Sequence, residues 1–91
     1  DDQEGSLKFL SSLYNLIKQR NRQLPPNSYT ASLFKQGQAK ILEKIKEEGH
    51  EIIKAATSEG KQRTIQEMSD FLYHLMVLMV EQGINWEDIL E

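Results

Sequence analysis

The chain has no cysteine. That absence excludes disulfide frameworks, thiolate metal sites and cysteine nucleophiles, and it is compatible with a reducing cytosol. Long hydrophobic runs are missing too. The longest, Phe71 to Val80, holds about ten residues and includes His74, where a bilayer-spanning helix needs roughly 20. No basic and apolar segment with a small-residue cleavage site precedes the first helix, so the expectation is a cytoplasmic protein with no membrane partner. Charge of one sign is also scarce. Fourteen acidic residues face 11 basic ones, a net charge of -3, and the signs are interleaved, which leaves no nucleic-acid-binding arm and no polybasic surface.

What is present is helical periodicity. Ninety-one residues with 38% hydrophobic content suit one small domain, residues 1–91, with little core to spare, for which self-association helps. Ser6 is placed to cap a first helix, in which Leu7, Phe9, Leu10, Leu13, Tyr14, Leu16 and Ile17 make one broad apolar face. Lys18, Arg20 and Arg22 sit near its C-terminus, where cations complement the helix dipole. Leu24-Pro25-Pro26-Asn27 breaks the helix, and residues 28–37 read as a short helical turn closed by Gly37. The spacing of Ile41, Leu42, Ile45, Ile52, Ile53 and Ala56 predicts a helix over residues 38–57, and a second long helix is expected over residues 61–82. Met68, Met76 and Met79 read as core packing. The second helix is apolar nearly all round from Phe71 to Val80, so a bundle completed by another subunit is expected. Gly83 ends it, and Asn85 caps a last short helix. The fold class is all-α, an antiparallel helical hairpin with flanking short helices, resembling a four-helix bundle once dimerised.

One residue conflicts with this pattern. Glu48 stands in the row of Ile41, Ile45, Ile52 and Ala55, where a lone carboxylate is costly unless paired, protonated or bound to a metal. Glu48 and Glu51 share a helix face, with Glu47 on the rim, and Glu67 and Asp70 are likewise three apart on the second helix. Glu51 lies nine residues before Gly60 and Asp70 ten after it. At about 1.5 Å rise per residue, antiparallel helices bring the two acidic clusters to nearly the same level. Carboxylates this close repel, and a hard dication resolves the repulsion. All-oxygen ligation favours Mg²⁺ or Mn²⁺, which work with substrate phosphates, so metal-assisted phosphoanhydride hydrolysis is the natural reaction. Lys35, Lys40 and Lys44 lie on the approach. The plain alternative is that these acids form surface pairs at helical spacing, each worth about 0.2 to 0.5 kcal/mol. A di-iron reading of Glu47 and His50 is disfavoured, because the second helix offers no matching Glu-x-x-His. His50 falls opposite the apolar row, and His74 reads as a core or interface histidine, with a supporting role behind Asp70 as the other option.

Glu47-Glu48-Gly49-His50-Glu51 followed by Glu67-Met68-Ser69-Asp70 resembles the E-E-x-x-E and E-x-x-D signature of the all-α, MazG-like nucleoside triphosphate pyrophosphohydrolases. Ser28 to Phe34, Lys35, Gly37, Lys44 to Glu48 and Asp70 to Leu75, with the start Leu13 to Ile17 and the end Gly83 to Leu90, resemble the phosphoribosyl-ATP pyrophosphohydrolase branch over nearly the whole chain. The resemblance implies hydrolysis of phosphoribosyl-ATP to phosphoribosyl-AMP and pyrophosphate with Mg²⁺, in a homodimer. It implies Glu48, Glu51, Glu67 and Asp70 as metal ligands, Glu47 or Glu48 as the base, and Lys44, Lys35, Ser28, Tyr29 and Thr30 as substrate contacts. Lys46 stands where this branch more often has Gly, and Gly49 where Ala is usual. A housecleaning nucleoside triphosphate pyrophosphohydrolase and a non-catalytic helical dimerisation module stand as alternatives.

Overall fold

The computed structural model describes residue 5 and residues 8–91 in full, and the backbone of residues 2–4, 6 and 7. Five helices follow one another: α1 (Asp2–Gln23), α2 (Tyr29–Gln36), α3 (Gln38–Ser58), α4 (Lys61–Gln82) and α5 (Trp86–Leu90). No strand occurs among the described residues. The expected all-α hairpin is present: α3 and α4 share the most extensive contact, and α1 lies across α4 and α2. Because α1 runs from Asp2, the helix does not start at the expected cap, Ser6; the side chains of Ser6 and Leu7 lie outside the described residues.

Each later boundary has a local cause. Leu24 closes α1 by donating its N–H to the Arg20 carbonyl at 2.9 Å, with φ at 48°. A left-handed leucine costs about 1 kcal/mol, and the two prolines after it forbid any continuation of the helix. Ser28 caps α2, its Oγ accepting from the Ala31 N–H at 3.1 Å. Gly83 ends α4 in the left-handed region, and the Ile84 N–H returns to the Met79 carbonyl at 2.8 Å. Asn85 and Asp88 form a reciprocal capping box on α5.

The core is small. Tyr14 and Ile17 of α1, Leu33 of α2, Ile41 of α3, and Met76, Val77 and Met79 of α4 form its buried cluster. The Tyr14 hydroxyl ties α1 to the end of α4 by donating to the Ile84 carbonyl at 2.6 Å. Met76 and Met79 are core, as the periodicity predicts, but Met68 is 54% exposed. Met68 lies with the exposed Ile65 and Leu72 along α4, while Leu42 and Ile53 are exposed on α3. One chain covers only one side of its hairpin, so these residues of the predicted apolar stripes stay on the outside.

Gly49 sits in the middle of α3, and a Cβ built there meets only Phe71 Cε1, at 3.7 Å. Gly49→Ala is therefore expected to stabilise the fold by about 1 kcal/mol, read as a higher midpoint in denaturant unfolding with an unchanged slope. A lower midpoint would show that the hairpin cannot accommodate a methyl group at this crossing.

Candidate active site between the hairpin helices

The hairpin register brings the conflicting residue to its partners. Glu48 is 9% exposed, and its Oε1 lies 2.6 Å from Nδ1 of His74 on α4. The same Nδ1 is 2.9 Å from the Asp70 carbonyl. A carbonyl oxygen can only accept, so the proton sits on Nδ1 and is directed at Asp70 O. Glu48 Oε1 is thus in close electrostatic contact with the imidazole yet has no hydrogen bond of its own. A buried carboxylate oxygen with no hydrogen-bond donor is a strong acceptor. On the other side of the ring, Nε2 is 2.9 Å from the Tyr29 hydroxyl.

This contact fixes α2 to the hairpin. Tyr29 is 53% exposed, but its ring packs edge-on to His74 and lies nearly parallel to Tyr73, with centroids 6.4 Å apart. Thr30 Oγ1 is hydrogen-bonded to the Tyr73 hydroxyl. Of the expected substrate contacts, Tyr29 and Thr30 therefore reach the carboxylate site through α4, and Ser28 is engaged as the α2 cap while retaining its own O–H donor. Lys44 stands beside the site, its Nζ 3.4 Å from Glu47 Oε2. Burial works against the Lys44 charge, but the hydrogen bond to Glu47 and the neighbouring Tyr29, Glu47 and Glu48 outweigh it and hold its pKa above the ordinary value. Lys35 lies on the exposed last turn of α2, bonded to none of these groups among the described residues.

The remaining acids are arranged unevenly. Glu67 is buried, with Oε1 held by Nη2 of Arg63 at 2.7 Å. Asp70 is exposed, Glu51 half-buried and Glu47 exposed on the rim. Among the described residues no three acidic or histidine side chains already converge as a ligand cluster. Carboxylates this close repel, and a metal bound here would compete with Arg63 for Glu67. The donor set nevertheless fits a hard dication: it is all oxygen, and one of those oxygens is buried without a hydrogen bond. Sequence reasoning left His74 between two roles and overlooked Arg63, although the spacing of Arg63 four residues before Glu67 was a visible sign of ion pairing. His50 is exposed, as its place on the wheel predicts.

Burial pushes the Glu48 carboxyl above the usual glutamate range. His74 and Lys44 pull it down, while Asp70 and Glu67 push it up. The folded chain thus holds this proton more tightly than the unfolded chain, so stability falls as pH rises from the ordinary glutamate value through the raised one. In chelator, Glu48→Gln is expected to melt at a higher temperature than the parent protein near pH 7.5, with the difference closing towards about pH 4, where both side chains are neutral. A lower melting temperature near neutral pH would mean that the His74 contact outweighs the cost of burial.

Comparison with known proteins identifies the family. The family model described as phosphoribosyl-ATP pyrophosphohydrolase matches residues 10–91. The phosphoribosyl-ATP pyrophosphatase of Metallosphaera sedula is 41% identical over 80 residues, 88% of this chain and 86% of that protein. The protein of the same name from Limosilactobacillus fermentum is 48% identical over 82 residues, 90% of this chain and 77% of that protein. The histidine biosynthesis bifunctional protein HisIE of Thermotoga maritima is 36% identical over 89 residues, 98% of this chain but 45% of that longer protein. With a family model spanning all but the first nine residues and relatives matched over most of their own length, the chain belongs to the phosphoribosyl-ATP pyrophosphohydrolase family.

Proposed function

We propose that this chain hydrolyses phosphoribosyl-ATP to phosphoribosyl-AMP and pyrophosphate, a step of histidine biosynthesis, using Mg²⁺ held by Glu48, Glu51, Glu67 and Asp70. The activity is that of the family. The observation that supports the metal site is the buried Glu48 Oε1, which has no hydrogen bond and stands between helices that also carry the other three acids. When bound, Mg²⁺ would supply charge neutralisation at the triphosphate and Lewis-acid polarisation of the phosphoanhydride.

The chain's own residues do the rest. Lys44, part-buried and paired with Glu47, meets phosphate oxygens at the mouth of the site. Glu47 is the better base of the two candidates, because it is exposed to water on the rim while Glu48 is enclosed against His74. It takes the proton as a water oxygen bonds to phosphorus and the bridging oxygen leaves with pyrophosphate. Tyr29, anchored through its hydroxyl to His74, and Thr30, anchored to Tyr73, form the wall that faces substrate. The exposed apolar residues Ile53, Ile65, Met68 and Leu72 support a homodimer that buries this outer face of the hairpin. No helix among the described residues is long and apolar enough to cross a membrane, which accords with a cytoplasmic enzyme.

Purified protein with Mg²⁺ is expected to release pyrophosphate from phosphoribosyl-ATP in clear preference to a panel of canonical and noncanonical nucleoside triphosphates. Equal turnover of the panel would move the reading to a housecleaning pyrophosphohydrolase. Glu51→Gln and Asp70→Asn are expected to lower kcat by more than the roughly 100-fold that losing an outer partner of a metal site costs, while melting temperatures stay close to the parent value. Full activity in both variants would remove the carboxylates from the mechanism. By light scattering the particle should have twice the 10.6 kDa chain mass; a monomer at assay concentration would refute the dimer.

A further inference from the structure

Apart from the Ser28 cap, the basic end of α1 and the connection to α2 take no part in the site described so far. Arg20 lies in the last turn of α1 and is half-buried. With Pro25, Pro26, Asn27 and Ser28 it lines a cavity of about 370 Å³. The wall of this cavity carries a guanidinium, a carboxamide and a hydroxyl, and no carboxylate. Ser28 Oγ is fixed as acceptor of the Ala31 N–H, which leaves its O–H to donate outward. The connection that shapes the cavity is held in an unfavourable conformation: Leu24, at φ 48°, immediately precedes the two prolines. Strain of this kind persists only where the surroundings enforce it, and it collects at ligand sites. The next residue after the cavity wall is Tyr29, whose hydroxyl is bonded to His74 and so to the carboxylate site.

We propose that Arg20, with Asn27 and Ser28, binds the phosphate monoester at the end of the substrate's phosphoribosyl arm. The proposal rests on the reading of the preceding subsection, and it adds a second anion subsite to the one that receives the triphosphate. A phosphate monoester carries about -1.5 to -2 charge and three strong acceptor oxygens. The planar fork of an arginine matches two of these at once, and a hydroxyl and a carboxamide supply further donors. An ordinary nucleoside triphosphate has no second phosphate group to place here. The contact therefore acts on specificity: it tells phosphoribosyl-ATP from nucleotides that share its triphosphate.

The test compares phosphoribosyl-ATP with ribosyl-ATP, which lacks only the terminal phosphate of the arm, in the full chain and in Arg20→Met and Arg20→Lys. Loss of a charge-assisted hydrogen-bond pair predicts that Arg20→Met raises KM for phosphoribosyl-ATP by about 10- to 100-fold, with kcat changed by no more than a few-fold and the kinetics on ribosyl-ATP unchanged. Arg20→Lys should recover part of the lost KM. Equal losses on the two substrates, or an unchanged KM, would overturn the subsite. If Arg20→Met does not fold, Arg20→Lys carries the same comparison: a KM increase confined to phosphoribosyl-ATP supports the proposal, and none or an equal increase overturns it. Ribose 5-phosphate, set against ribose, gives a readout without turnover. It should shift the Asn27 and Ser28 amide resonances of the parent protein, and Arg20→Met should abolish the shifts. An inactive protein that still shows these shifts would defeat the functional reading and leave the subsite standing; active protein without them would do the reverse.

Discussion

The structure depends on one constraint: a carboxylate occupies a position that the helical repeat assigns to the core. Glu48 is flanked along α3 by residues that pack inward, and it is enclosed between the hairpin helices. Leaving such a group unpartnered costs several kcal/mol by transfer estimates. His74 answers part of that cost from across the hairpin, at 2.6 Å, but its proton is directed at the Asp70 carbonyl. What remains is an acceptor oxygen shielded from water and short of a donor. Apolar packing and a buried charge therefore compete for the same face of α3.

His74 connects this constraint to the rest of the chain. Its two nitrogens reach the Asp70 carbonyl with Glu48 on one side and the Tyr29 hydroxyl on the other. Through it, an exposed tyrosine on an eight-residue helix is held against a buried acid. A helix as short as α2 has little stability of its own. Its Ser28 cap, its buried Ala31 and Leu33, and the contacts of Tyr29 and Thr30 with α4 set its position. Tyr29 and Thr30 thus fix α2 against His74 and Tyr73, and Arg20 lines a cavity with Ser28, the cap of the same helix. The small core of one chain leaves little stability in reserve, and apolar residues of α3 and α4 remain uncovered.

Much of this was legible in the residues. The helix ends followed from Gly37, Gly83 and the Asn85 cap, and α4 falls on residues 61–82, as the pattern predicts. Helix periodicity and turn chemistry act within a few residues, so they can be read along the chain. The conflict at Glu48 was equally visible, since it needs only a wheel. Burial was less legible: Met68, Leu42 and Ile53 obey the apolar period yet lie outside in a single chain. Periodicity identifies a face without saying what covers it.

The sequence by itself determined the elements, the turn that makes α3 and α4 antiparallel, and the level at which their acids meet, because each follows from a fixed rise per residue and from local backbone chemistry. It also determined the family, through motifs spread over nearly the whole chain. Only the tertiary structure decided which side chains engage. His74 turns to Glu48 and Tyr29, and Thr30 finds Tyr73. The last two contacts span more than 40 residues of sequence. Their partners are chosen by how α2 is seated against α4, and neither propensity nor spacing along one helix contains that information.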